Sequence, residues 1–229
     1  MQLILFDIDG TLLMGRGLGR EATRRAMLDI FGSSGTLETH QFGGKTDWMT
    51  LAEVLAAEGL SAQDIGRHMP VYEDALTRHM TALLAEYPVT ALPGALDCVH
   101  TVRARANSLT GIVTGNLART AHVKLRAAGF DPRWFPIAAY GSEALERNAL
   151  PPLALERARQ HSGQAIRPQD VVIIGDTLDD IACARAVGAH VVAVTTGFTA
   201  RETLAAARPD YLLDHLGDLP ALLDQLPLS

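Results

Sequence analysis

Asp7, Asp9 and Asp176, with one of the pair Asp179 and Asp180, are the side chains of this 229-residue chain best placed to do chemistry. Asp7 and Asp9 stand in Asp7-Ile8-Asp9-Gly10-Thr11, directly after the apolar run Leu3-Ile4-Leu5-Phe6. Such a run reads as a parallel strand buried on both faces, and in open α/β sheets the reactive groups gather just past the carboxyl ends of the strands. A single aspartate there is often only a turn former. Here, however, the design recurs: Leu109 to Val113 precedes Thr114-Gly115-Asn116, and Val171 to Ile174 precedes Gly175-Asp176-Thr177-Leu178-Asp179-Asp180. Three strand ends would then face one crevice. Two carboxylates about 4 Å apart repel by roughly 4 kcal/mol at an effective dielectric of about 20, so a crevice holding several of them calls for a cation. Hard Mg²⁺ suits carboxylate, carbonyl and water oxygens, and Asp7 and Asp176 are the side chains expected to hold it.

The elements that must position these acids follow from the hydrophobic pattern. From Pro93-Gly94 onward helix and strand alternate, which predicts a parallel sheet wrapped by helices. The pattern predicts helices over residues 95 to 106, 119 to 128, 179 to 187 and near 201 to 207. It predicts strands over 109 to 113, 136 to 139, 171 to 174, 190 to 194 and 211 to 213, with Pro151-Pro152 opening a further helix. Between the first acidic turn and Pro88 the reading is different. Gly15, Gly17 and Gly19 suit a hinge, and from Arg20 to Pro88 the apolar spacing is helical, with Ser61-Ala62-Gln63-Asp64 as a helix start. Either Asp179 or Asp180 could be an N-cap for the helix that follows.

Composition removes several classes of function. The chain is 48% hydrophobic with a formal net charge of -6, and its only lysines are Lys45 and Lys124. This argues against a nucleic-acid surface, which needs clustered cations. The short apolar run at the start leads into two aspartates, unlike a signal peptide or a membrane span, so a cytoplasmic location is expected. Cys98 and Cys183 lie far apart with no metal spacing and read as buried, reduced residues. The eight histidines form no triad with a serine or cysteine nucleophile. Gly43-Gly44-Lys45-Thr46 is not a nucleotide-binding P-loop, because that pattern needs glycine where Thr39 stands, and no strand precedes it.

Asp7-x-Asp9-Gly10-Thr11, Thr114 after a strand, and Gly175-Asp176 with Asp180 resemble three of the four motifs of the haloacid dehalogenase superfamily, in particular its phosphoglycolate phosphatase-like members. The resemblance spans nearly the whole chain. It implies an α/β fold, with a Rossmann-like parallel sheet core in residues 1–14 and 89–229 and a mostly helical cap domain in 15–88. It implies a Mg²⁺-dependent phosphomonoester hydrolase acting on a small phosphorylated metabolite such as 2-phosphoglycolate or a sugar phosphate. Asp7 would be the nucleophile and Asp9 the general acid and base. Asp7, Asp176 and the backbone carbonyl of Asp9 would bind the metal, and Asp180 would orient the metal shell and a basic residue. Thr114, with amides around Gly10, Thr11, Gly115 and Asn116, would bind phosphoryl oxygens. Lys45 would reach the substrate's non-reacting end.

The sequence departs from the family at the third motif, where a lysine is usual. Residues 146 to 152 read Glu146-Arg147-Asn148-Ala149-Leu150-Pro151-Pro152, so Arg147 is the nearest cation and a surface arginine is the competing reading. The same parts also serve phosphosugar mutases. A phosphonatase using a cap lysine, and a phosphoaspartate partner-binding module without turnover, are the remaining alternatives.

Overall fold

The computed structural model describes residues 1–226. Its main sheet has six parallel strands: β1 (Gln2–Phe6), β4 (Ser108–Thr114), β5 (Ile137–Tyr140), β6 (Val171–Gly175), β7 (His190–Val194) and β8 (Tyr211–Leu213). They lie in the order β5-β4-β1-β6-β7-β8. β1 pairs with β4 on one side and β6 on the other, so the three strands that carry the acidic and Thr-Gly turns are immediate neighbours with their carboxyl ends aligned. Alternation along β1 divides the core in two. Ile4 and Phe6 face one layer, Leu3 and Leu5 the other, and none of the four is exposed. Burial on both faces is the reason this strand reads as continuous hydrophobics.

One layer is closed by α6 (Leu150–Ser162) and α7 (Leu178–Val187), with α8 (Arg201–Ala206) contributing Leu204. The other takes α4 (Ala95–Arg103), α5 (Ala118–Ala127) and α9 (Leu219–Gln225). The sheet and its helices match the α/β, Rossmann-like expectation. The helix predicted to run to residue 106 stops at Arg103; Ala104 and Arg105 close tighter turns onto Thr101 O and Val102 O, and Asn107, with a left-handed φ of 58°, turns the chain into β4. The strand expected over 136 to 139 begins one residue later, after Pro136, which has no N–H to give a ladder.

Between β1 and β4 the chain leaves the sheet through a short antiparallel pair, β2 (Leu13–Met14) and β3 (Thr90–Ala91), where the sequence suggested only a glycine hinge. The intervening stretch contains α1 (Leu18–Phe31), α2 (Asp47–Val54) and α3 (Ala62–Leu83), and no strand. α1 packs along α3, and α3 also contacts α5 of the sheet region. Ser61 and Asp64 form the reciprocal cap anticipated at the start of α3. At α7 the cap is Thr177, whose hydroxyl accepts the Asp180 N–H, while Asp180 bonds back to the Thr177 N–H. Neither Asp179 nor Asp180 is the N-cap. Cys98 and Cys183 are free and buried. No helix among the described residues is long and apolar enough to cross a membrane.

Candidate active site

Asp7 extends β1 by one more link, its N–H donating to Ile174 O at 2.8 Å. The chain then doubles back: the N–H groups of Thr11, Leu12 and Leu13 all turn to Ile8 O, and Gly10 N–H reaches Leu13 O. Gly10 has φ +83°, and a Cβ there would stand 2.5 Å from the Asp176 carboxyl. Only glycine combines that backbone with so close an approach of β6's acid to β1's turn. Asp176 is fully buried and accepts the Phe198 N–H at 2.8 Å and the Thr11 hydroxyl at 3.4 Å.

Carboxylate oxygens of Asp7, Asp176 and Asp180 lie within 4.8 Å of one another. Burial, reinforced by Asp180 and Asp7, pushes the Asp176 carboxyl up to about 8. Burial also pushes Asp7 up to about 7, although the Arg147 charge pulls it down. Arg147 lies at the heart of this cluster. It is 7% exposed, and its Nη2 donates to Asp7 Oδ1 at 2.9 Å and to Asp180 Oδ1 at 2.5 Å. Burial opposes its charge, but Asp180 and Asp7 outweigh it and hold the guanidinium well above its ordinary value. Among the described residues its buried Nε has no hydrogen-bond partner, and the Cys183 thiol lies beside the guanidinium.

With all three carboxylates ionised, one guanidinium would leave two negative charges in a buried crevice, and the raised values of Asp7 and Asp176 show how strongly the site resists that state without a further cation. That donor set, all oxygen and two charges short of neutral, fits a hard dication. Asp180 is already committed to Arg147 and to the hydroxyl and N–H of Thr177. Among the described residues, Asp7 is bonded through Oδ1 alone, and Asp176 accepts only from the Thr11 hydroxyl and the Phe198 N–H, with no cationic side chain of its own.

On the other side of β1, Thr114 ends β4 fully buried, and its hydroxyl accepts from Asn116 Nδ2 at 2.8 Å and from Asn116 N–H at 3.3 Å. Asn116 Nδ2 also donates to Asp9 Oδ2 at 2.8 Å. The same oxygen takes Lys124 Nζ at 2.7 Å, and Lys124 donates to Asn116 Oδ1 at 2.7 Å as well. The resemblance implies a phosphate-binding place for the backbone amide at Asn116; the Asn116 side chain ties Thr114 to Asp9.

The stretch from Gly44 to Asp47 comes down onto these strand ends. Asp47 N–H donates to Gly115 O at 2.8 Å, Asp47 Oδ2 accepts the Leu117 N–H at 3.1 Å, and Thr46 Oγ1 donates to Leu145 O at 2.7 Å. Burial pushes the Asp47 carboxyl up to about 6, against the Lys124 charge and the Leu117 N–H. Gly115 is seated so tightly beneath Lys45 O that a Cβ would overlap it. Together these segments enclose a cavity of about 490 Å³ into which Asp7, Asp9, Asn116, Lys124 and Arg147 open, with Leu76 and Met80 of α3 on its far wall.

The structure therefore brings together Asp7, Asp9, Gly10, Thr11, Thr114, Gly115, Asn116, Arg147, Asp176 and Asp180. The reading of Arg147 as a surface arginine is not met, since it is buried between two carboxylates. Lys45 lines the cavity but its ammonium is paired with both oxygens of Glu53, at 2.7 and 2.6 Å, rather than projecting free toward a substrate. Asp179, partly buried, packs against Gly44. Sequence reasoning missed Lys124, Asp47, and the Gly197-Phe198 turn that receives Asp176. Lys124 carried a signal, because it falls on the inward stripe of α5 with Thr120, Ala121 and Leu125.

Comparison with known proteins agrees with this geometry. A family model described as "HAD-hyrolase-like" matches residues 147–219. A phosphoglycolate phosphatase of Synechococcus elongatus is 30% identical over 99% of both chains, and the pyrophosphatase PpaX of Anoxybacillus flavithermus is 25% identical over 96% of this chain and 95% of its own. Among solved structures, a hydrolase from Pseudomonas syringae superposes with TM-score 0.72 at 21% identity over 100% of both chains. CbbY from Rhodobacter sphaeroides, solved with phosphate, gives 0.64 at 22% identity over 96% of each. The chain belongs to the haloacid dehalogenase-like hydrolases, in their phosphoglycolate phosphatase-like branch. It is an enzyme of the hydrolase class.

Proposed function

We infer that this hydrolase cleaves a phosphomonoester of a small metabolite, using Asp7 as nucleophile and Mg²⁺ as cofactor. The observation that carries the reading is the bridge from Arg147 to Asp7 and Asp180, with the Asp176 carboxylate beside them at the end of the neighbouring strand. Asp7 and Asp176 would hold the cation, which when bound offsets the repulsion between a carboxylate and an anionic phosphate. Arg147 keeps Asp7 aimed, and its charge, at the wall of the cavity, favours an anionic phosphoryl group there. Asp7 attacks phosphorus to give an aspartyl-phosphate, while Asp9 donates a proton to the departing oxygen and then takes one from the attacking water. The names of the relatives, phosphoglycolate phosphatase above all, support a small phosphorylated acid or sugar as substrate.

Residues 15–88 act in this reading as a cap domain over the core formed by 1–14 and 89–229. The cap excludes bulk water and selects what enters. Lys45, paired with Glu53 in the seated arrangement, would contribute to substrate binding only after exchanging that partner. Phosphate release from p-nitrophenyl phosphate and from a panel of phosphorylated metabolites, with Mg²⁺ or with chelator, tests the reading. Activity should need the metal and vanish in Asp7→Asn. Turnover that survives Asp7→Asn, or that ignores the chelator, would sink it.

A further inference from the structure

Lys124 has no part in the reaction as described so far, yet it is 7% exposed, and a lysine is placed so deep only where its charge is met. Its ammonium meets two acceptors, Asp9 Oδ2 and Asn116 Oδ1, both at 2.7 Å. The second bond has a consequence for the first. Because Asn116 Oδ1 accepts from Lys124, the amide of Asn116 is turned so that Nδ2 donates to Asp9 Oδ2 and to Thr114 Oγ1, each at 2.8 Å. Asp9 Oδ2 therefore receives two donors, one from each residue. Oδ1 receives none among the described side chains and backbone groups, and Asp9 lines the cavity.

We propose that Lys124 is a positioning residue: directly and through Asn116 it locks Asp9 so that Oδ1 is the oxygen that exchanges protons with the substrate. The proposal rests on Asp9 being the general acid and base of the phosphatase reading. In the first half-reaction the bond from phosphorus to the leaving oxygen breaks, the bond from Asp7 to phosphorus forms, and the proton on Asp9 Oδ1 passes to the leaving oxygen. In the second, a water proton passes to Asp9 Oδ1 as the water oxygen bonds to phosphorus and the Asp7 bond breaks. A merely structural Lys124, one that only anchors α5 to the turn after β1, would affect all substrates and both halves alike.

Leaving-group dependence separates the two roles. p-Nitrophenolate departs without a proton, so its release tolerates a misplaced Asp9, whereas an alkoxide needs the acid and the attack of water needs the base. In Lys124→Met, which keeps the buried stem and removes the charge, stopped-flow mixing with p-nitrophenyl phosphate should give a burst of about one p-nitrophenolate per enzyme at a rate within about threefold of wild type. Steady-state turnover should then fall at least ~10-fold, and glycerol 2-phosphate should be cleaved at least ~10-fold more slowly with no burst. Lys124→Gln gives the same reading should the methionine variant not fold, as judged by its thermal melt. Burst and steady state falling together, or both unchanged, with an active wild type, would overturn the role of Lys124 alone. A wild type that releases no phosphate from any ester would instead sink the phosphatase reading beneath it.

Discussion

Gly44, in the inserted stretch, rests against the Asp179 carboxylate of α7 so closely that no Cβ fits between them. Its φ of +69° disfavours any L side chain as well. Together with Thr46 on Leu145 and Asp47 on Gly115 and Leu117, this contact seats the insert over the acids. Gly44→Ala should therefore lower kcat/KM at least ~10-fold while leaving the acidic cluster intact, because a site left open to water loses its electrostatic advantage. Gly163→Ala is the control. It shares a left-handed φ, +67°, but has nothing within 4 Å and lies at the far end of α6, so it should lower the melting temperature without altering kcat/KM. Steady-state kinetics and thermal melts of the two variants check the contrast.

Arg147 touches both Asp7 and Asp180 through a single nitrogen, Nη2. Removing the guanidinium leaves buried carboxylates unpaired, which typically costs about 3–5 kcal/mol, so Arg147→Met should melt well below wild type in chelator. Its turnover should fall by about 10²–10³-fold, the usual effect of losing one preorganised donor. A bridge made by one nitrogen is also within the means of an ammonium. Arg147→Lys should accordingly retain at least about ten times more turnover than Arg147→Met. Equal loss in the two would mean that the fork of donors, and not the charge, is what the site requires.

How legible was this in the sequence? The sheet was, because β1, β6 and β7 are buried on both faces and so are written as unbroken apolar runs. The meeting of Asp7 and Asp176 followed from two such runs, β1 and β6, each ending in an acidic turn. The direction of Arg147 was not legible, since a cation in an irregular stretch has no periodicity and its burial is decided by two carboxylates 140 and 33 residues away. The seating of Gly44 and Asp47 was hidden for the same reason, being made of contacts with α7 and with the turn after β4. Lys124 was different. Its place on the inward stripe of α5 broke the binary pattern in plain view, and a charge at a core position is the kind of local inconsistency that marks a site.

The two thiols offer a check on the interior. Burial alone pushes Cys98 up to about 12, and burial, against the nearby Arg147, does the same for Cys183. Thiolate is the reactive form, so native protein at about pH 8 should not react with a thiol-specific disulfide reagent, and both cysteines should react after denaturation. Fast labelling of one thiol in the native state would contradict the packing of α4 or α7.

The raised carboxyls make stability depend on pH and on metal together. Asp176 is pushed up to about 8, Asp7 to about 7 and Asp47 to about 6, each chiefly by burial, from an ordinary value of 3.8. Between 3.8 and those values the folded chain holds protons that the unfolded chain has released, so stability falls as pH rises across that window. Below the unfolded value the contribution is fully present, and above about 8 it is gone. Glu21 and Asp131, held near 2 by hydrogen bonds from Arg24 and Arg133, act in the opposite sense, but only below the ordinary carboxylate range. In chelator, the melting temperature should therefore decline between about pH 5 and pH 8. A dication bound by Asp7 and Asp176 competes with their protons, so the increase in melting temperature on adding Mg²⁺ should be larger at about pH 8 than at about pH 5.5. Asp176→Asn isolates the effect: it should flatten the decline in chelator and abolish most of the Mg²⁺ response. An Mg²⁺ response that is equal at both pH values, or undiminished in Asp176→Asn, would remove the ion from this cluster.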